Sequence, residues 1–221
     1  MWTTSISALS LLCLCSCTLS SGKLFGAYFA NWAQYHSSPY SYVPSDLAPL
    51  VPSLDRIFYS FAYFDNSFQL YNPEPKDPTF YSEIVAFKSQ NPNLRVILSV
   101  GGWNFPSALF SQMASTATNR QAFINSALAY MAKYGFDGID IDWEFPCSPA
   151  RTDWIKMSNT WFKPINDAGG RCPGDVDNLL LLVKEMRAAF GTKLITISSQ
   201  AGPKNYNLWH LKEMDQYVDA W

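Results

Sequence analysis

The stretch Asp137-Gly138-Ile139-Asp140-Ile141-Asp142-Trp143-Glu144 places four acidic residues within eight positions of an otherwise apolar segment. Side chains on a β-strand alternate between faces with a period of two. Asp140, Asp142 and Glu144 therefore share one face, and Ile139, Ile141 and Trp143 share the other. Same-face neighbours lie roughly 6.5–7 Å apart along a strand. Like charges so placed resist joint ionisation, so at least one carboxyl is expected to hold a proton near neutral pH. A carboxyl kept protonated is what a general acid requires. Two other readings compete: a surface strand with its acidic face in water, and a cation site. The first must explain the buried-type sequence on either side. The second needs further ligands, because three carboxylates on one strand do not surround an ion.

Outward from this strand, apolar strand patterns alternate with helical ones. Leu24–Phe29, Arg56–Phe64, Leu94–Val100, Phe136–Trp143 and Lys193–Ser199 read as strands, and Tyr217–Trp221 could open a sixth. Glu83–Gln90, Asn119–Tyr134, Asp175–Phe190 and Trp209–Gln216 read as helices. Pro92 ends the first of these, Gly135 is a C-cap candidate for the second, and the third stops at Gly191. Such alternation argues for parallel βα units, either an open doubly wound sheet or a (β/α)8 barrel. No Gly-x-Gly-x-x-Gly turn follows the first strand, which weakens the dinucleotide-binding version of the open sheet.

Composition narrows the partner classes. The chain has 221 residues, is 48% hydrophobic and only 15% charged, and so has the material for a packed core. Its net charge is −2 and no basic run exceeds two residues, so nothing resembles a nucleic-acid footprint. Residues 1–22 read as a cleaved secretory signal, with an apolar run from Ile6 to Leu19 followed by small Ser20, Ser21 and Gly22. No Lys or Arg precedes that run, and a signal anchor is the alternative. The expected product is secreted, extracellular and monomeric, with no membrane attachment after cleavage. Cys13, Cys15 and Cys17 leave with the signal, so Cys147 and Cys172 remain as a candidate disulfide worth about 3 kcal/mol. Two free thiols are the alternative. His36 and His210 lack ligand spacing to these cysteines, so no metal or other cofactor is expected.

The carboxylate strand resembles the Asp-x-x-Asp-x-Asp-x-Glu signature of glycoside hydrolase family 18, the chitinases, and all four acidic positions match. Ser99-Val-Gly101-Gly102-Trp103-Asn104 is similar to that family's third-strand motif, Tyr28-Phe-Ala-Asn31-Trp32 to its first strand and Phe61-Ala62-Tyr63 to its second. The resemblance selects the (β/α)8 TIM barrel, with residues 23–221 as part of a catalytic domain. It implies hydrolysis of β-1,4 N-acetylglucosamine linkages in chitin by a retaining mechanism in which the substrate assists. Glu144 would protonate the glycosidic oxygen. Asp142 would hydrogen-bond the 2-acetamido N–H, and Asp140 would share a proton with Asp142. Asp137, with the other parity, would be structural.

The resemblance also implies that Tyr28 and Ser99 contact the acidic cluster. Phe61, Gly101, Gly102, Trp103, Asn104 and Phe145 join them as candidate substrate-binding positions. Phe145 follows the acid where relatives of the family often carry Tyr, which removes a hydroxyl contact. Plain core packing is the competing role for each aromatic. The segment Pro146–Gly174, with Trp154, Trp161 and Phe162, would wall the cleft or contact polymer.

Ser198-Ser-Gln-Ala-Gly-Pro203 looks like the end of the fifth strand. The resemblance covers about five and a half of eight strands. The family's Met-x-Tyr-Asp and eighth-strand Trp are not in this sequence, and the expectation is a truncated piece of a longer protein. A chitin-binding lectin on the same fold and an endo-β-N-acetylglucosaminidase acting on N-glycans are the rival functions.

Overall fold

The computed structural model describes residues 23–147, 154–157, 161–164, 169–171, 174–200, 202 and 209–221. The expected signal segment, Cys172 and the side chains of Trp154, Trp161 and Phe162 lie outside the described residues. In chain order the elements are β1 (Gly26–Ala30), β2 (Arg56–Phe64), β3 (Leu70–Tyr71), α1 (Asp77–Ala86), β4 (Arg95–Gly101), α2 (Ser107–Ala114), α3 (Ala117–Tyr134) and β5 (Gly138–Asp142). They continue with β6 (Trp154–Met157), β7 (Trp161–Pro164), α4 (Gly174–Phe190), β8 (Leu194–Ile197) and α5 (Leu211–Met214).

β1, β2, β4, β5 and β8 lie side by side, all parallel, in the order in which the chain makes them. β3 pairs antiparallel with the end of β2, and β6 with β7. A sixth strand begins beside β8: Thr196 bridges Ala220, and the Asp219 N–H donates to the Ile195 carbonyl at 2.7 Å. This is the (β/α)8 barrel architecture, present through its fifth strand and the first residues of the sixth. It follows from strands that are buried on both faces, apolar on the outer face that the helices cover. Ile139, Ile141 and Trp143 point outward from β5 and are fully buried with the helices' apolar residues. Each such side chain contributes roughly 1.5–3 kcal/mol by leaving water.

Three aspartates repeat one device at the barrel's N-terminal end. Asp55, Asp137 and Asp219 each precede a strand, and each carboxylate accepts a backbone N–H from the start of the strand before or the residue leading into it. The donors are Phe25 at 2.7 Å, Val96 at 2.8 Å and Ile195 at 2.8 Å. The carbonyls of Asp55 and Asp137 accept from Arg95 and Leu194, both at 2.9 Å, which ties in the strand after. Asp137 also pairs with Lys88 at 2.6 Å. It is thus a clasp at the opposite end of β5 from Glu144.

The element boundaries moved in places. The first helix starts at Asp77, six residues before the expected Glu83, with proline in its first turn, where no N–H is needed. The expected helix Trp209–Gln216 is shorter, Leu211–Met214, and the expected sixth strand Tyr217–Trp221 makes only the Ala220 bridge. α2 and β3 had no counterpart in the sequence reading. α3 ends as expected at Gly135, whose φ of 83° is left-handed, and begins on Thr116, whose side chain accepts the Asn119 N–H.

Candidate active site

Strand register builds a polar layer inside the barrel. Ala30, Ser60, Ser99, Asp140 and Thr196 lie level across five neighbouring strands. Asp140 is 1% exposed and is held from three sides. Ser99 donates to its Oδ2 at 2.7 Å, Thr196 to its Oδ1 at 2.6 Å, and the Tyr28 phenol to Oδ2 at 3.1 Å. Burial pushes the Asp140 carboxyl up, and these hydrogen bonds partly offset it.

Asp142 sits one layer nearer the mouth and is 6% exposed. Burial, then the neighbouring Glu144 and Asp140 charges, push its carboxyl up to about 7. Glu144 lies just past the end of β5 and is half-buried. The three carboxylates therefore form a column that runs from the interior to the C-terminal mouth, where barrels of this class place their chemistry. The column follows the parity read from the sequence.

The turn that carries Glu144 is fixed from behind by a residue the sequence reading missed. Ser107, the first residue of α2, is 1% exposed. It accepts from the Trp143 indole N–H at 2.6 Å and donates to the Phe145 carbonyl at 2.8 Å. Both neighbours of Glu144 are thus tied to one hydroxyl. Trp143 also stacks on Phe110, with ring centres 5.3 Å apart.

The last residue of β4, Gly101, and Gly102 just after it bring the backbone close to this turn. Gly101 has φ +113°, and a Cβ there would stand 2.3 Å from the Asp142 carbonyl. Gly102 has φ +87°, and its amide donates to the same carbonyl at 2.8 Å. A Cβ on Gly102 would strike the Phe61 ring. Phe61 lies where the β2–β4 register shifts between Ser60 and Ala62, and it stacks on Trp32 with ring centres 5.6 Å apart. Trp32 and Trp103 are 43% and 53% exposed, and Trp103 meets Phe145 edge-on at 6.5 Å.

Tyr28, Phe61, Gly102, Trp103 and Phe145 thus gather about the mouth, and Asn104 is exposed beside them. Ser99 does not face it. Expected among the substrate-binding positions, Ser99 is fully buried and spends its hydroxyl on Asp140, as the contact with the acidic cluster required. Thr196 and Ser198 are further site residues that sequence reasoning did not single out. Their signal was present: they share one parity, with Ile195 and Ile197 on the other.

The segment after β5 is anchored at both ends by Asp175 on α4. Its buried carboxylate accepts from the Cys147 N–H at 3.1 Å, the Arg171 N–H at 2.6 Å and the Ser111 hydroxyl at 2.6 Å. Two surface hollows, of about 420 and 590 Å³, lie on the helical flanks near Ser126 and Phe87 and hold none of the three carboxylates.

The family model for glycosyl hydrolases family 18 matches residues 25–221. The chain belongs to glycosyl hydrolase family 18. Among family 18 relatives, it is 41% identical over 127 residues to chitotriosidase-1 of Mus musculus, which covers 58% of this chain and 26% of that protein. It is 31% identical over 207 residues to the endochitinase of Brugia malayi, which covers 90% of this chain and 39% of that protein. The immunomodulatory active chitinase from Trichuris suis superposes with a TM-score of 0.73 at 30% identity, over 89% of this chain and 49% of that one. The Ostrinia furnacalis Group IV chitinase in complex with allosamidin gives 0.74 at 26% identity, over 90% and 49%. The chain therefore spans well under half the length of these two curated relatives and about half of each solved chain.

Proposed function

We propose that residues 23–221 form the acid-bearing part of a chitinase catalytic domain that cleaves β-1,4-linked N-acetylglucosamine with retention. The observation that carries this reading is the inward column Asp140–Asp142–Glu144, with Asp142 pushed up to about 7 beside Glu144. Glu144, at the mouth, donates its proton to the leaving glycosidic oxygen. No second carboxylate serves as nucleophile. The 2-acetamido oxygen of the substrate attacks the anomeric carbon instead, and water later opens the cyclic intermediate. Asp142 accepts the acetamido N–H and so aims that oxygen. Its carboxylate balances the positive charge that develops on the ring. Asp140, held by the Ser99, Thr196 and Tyr28 hydroxyls, anchors Asp142 by sharing a proton with it.

Exposed Trp32 and Trp103 supply flat apolar faces for pyranose rings, and Phe61 and Phe145 back them. Secretion after loss of residues 1–22 and a Cys147–Cys172 disulfide belong to the same reading, as does action by a monomer on chitin oligomers. Among the described residues no helix is long and apolar enough to cross a membrane.

The test compares N-acetylated with de-N-acetylated glucosamine oligomers of equal length. It uses this chain and a chimera carrying the remaining barrel strands of one of the relatives above. The expected result is cleavage of the acetylated oligomers alone, by the chimera. Equal cleavage of both would remove the acetamide from the mechanism. Tight binding without cleavage in the chimera would favour the rival lectin reading.

A further inference from the structure

The stacked rings of Trp32 and Phe61 lie 5.6 Å apart with their planes 16° from parallel. Trp32 belongs to a short 3-10 helix, Asn31–Tyr35, that leaves β1, and Phe61 lies at the register shift in β2. Strand register alone therefore does not set where the two rings lie.

Beside them is a carboxylate that the proposed mechanism does not use. Asp77, the first residue of α1, is fully buried. Its Oδ1 accepts from the Asn31 Nδ2 at 2.9 Å and from the Tyr59 hydroxyl at 2.5 Å. Its Oδ2 accepts from the Glu74 N–H at 2.9 Å. All three donors are neutral, and burial pushes the carboxyl up while their hydrogen bonds offset part of that. An apolar side chain in this place would avoid the cost of burying a carboxyl, so core packing alone does not account for Asp77. Asn31 is buried too, and its Nδ2 also donates to the Phe61 carbonyl at 3.4 Å. One amide thus joins Asp77 to the backbone of Phe61 and, through its own backbone, to Trp32, the next residue.

We infer that Asp77 is a positioning residue for the mouth: through Asn31 it holds the Trp32–Phe61 stack as one platform. Both acceptors that Asn31 meets, a carboxylate and a carbonyl, call for N–H donors. Only the nitrogen end of its amide can face them. With that end fixed, the turn that carries Trp32 and the backbone of Phe61 are tied to a single buried group. Gly102 leaves room for the ring, because a Cβ there would stand 2.6 Å from Phe61. A platform held in place before a sugar arrives loses less side-chain freedom on binding. That last consequence rests on the proposed function, but the hydrogen bonds and the stack do not.

The test reads the stack directly and needs no turnover. Tryptophan in the whole chain is replaced by 5-fluorotryptophan, and the Trp32 line of the 19F spectrum is assigned by its loss in Trp32→Phe. Phe61→Leu removes the stacked ring, should move that line, and so shows that the probe responds. Asn31→Ala and Asp77→Asn should move it in the same direction, with the lines of the other tryptophans in place. Asn31→Ala keeps the carboxylate and Asp77→Asn keeps its shape, so either one decides if the other does not fold. Tyr59→Phe removes a different Asp77 donor and should lower stability while leaving the Trp32 line alone. A Trp32 line unmoved in the folded Asn31 or Asp77 variant, or moved as far in Tyr59→Phe, overturns the inference. In an active chimera Asn31→Ala should weaken binding of N-acetylglucosamine oligomers by about fivefold. A moved line with unchanged affinity would leave Asp77 its role and refute instead Trp32 as a sugar platform.

Discussion

Asp142→Asn should make the folded chain more stable at neutral pH and leave it unchanged in acid. Burial, then Glu144, then Asp140 place the Asp142 carboxyl at about 7, whereas an unfolded aspartate titrates near ~3.9. Between those values the folded chain keeps a proton that the unfolded chain has lost. Stability is therefore fully present below about pH 3.9, declines as pH rises, and reaches its floor above about pH 7. Three units at about 1.36 kcal/mol each amount to ~4 kcal/mol. Asparagine has nearly the same shape and never ionises, so that decline disappears in the variant. Urea unfolding of both proteins at about pH 4 and about pH 8 measures the difference. The curves should coincide at the lower pH, with the variant ahead by up to ~4 kcal/mol at the higher one. An equal gap at both pH values, or a wild type more stable at the higher pH, would refute the electrostatic account of the column.

Other residues give independent checks. Ser107→Ala leaves the Trp143 indole and the Phe145 carbonyl without their shared partner, and should cost ~1–3 kcal/mol in a urea titration. Gly101→Ala puts a Cβ 2.3 Å from the Asp142 carbonyl at a φ only glycine favours, so loss of soluble folded protein by circular dichroism is expected. Asp137→Ala should lower unfolding free energy by ~1–2 kcal/mol while the Asp142 titration stays in place, since its partners lie at the far end of the barrel. Trp103→Ala should weaken calorimetric binding of N-acetylglucosamine oligomers by about tenfold, or ~1.4 kcal/mol, with melting unchanged because the ring is already half exposed.

Strand parity made the centre of the site legible before any coordinates. The period of two fixes which carboxylates face inward, and it separates Asp137 from the other three. The helix cap at Gly135 was legible for an equally local reason, a glycine closing an apolar helical repeat. What escaped was non-local. Ser107 belongs to a short helix with little sequence pattern of its own, and its role exists only because Trp143 and Phe145 fold back onto it. The shift at Phe61 lies inside a continuous apolar run, where no residue marks a change of register. Ser99 was expected both to contact the acidic cluster and to bind substrate, and the register sets it level with Asp140, where its buried hydroxyl does only the first. Thr196 and Ser198 did leave a trace, as alternate hydroxyls on an apolar strand, but that pattern gains meaning only once β8 lies beside β5.

The central claim is that Glu144 supplies the proton, and hydrolysis by a Glu144→Gln chimera tests it most directly. Glutamine keeps the size and hydrogen-bonding shape of the side chain but has no acidic proton. Turnover of N-acetylglucosamine oligomers should fall by about 10²–10⁴-fold with oligomer binding retained. Turnover within a few-fold of the parent would contradict the assignment and leave the column without its acid.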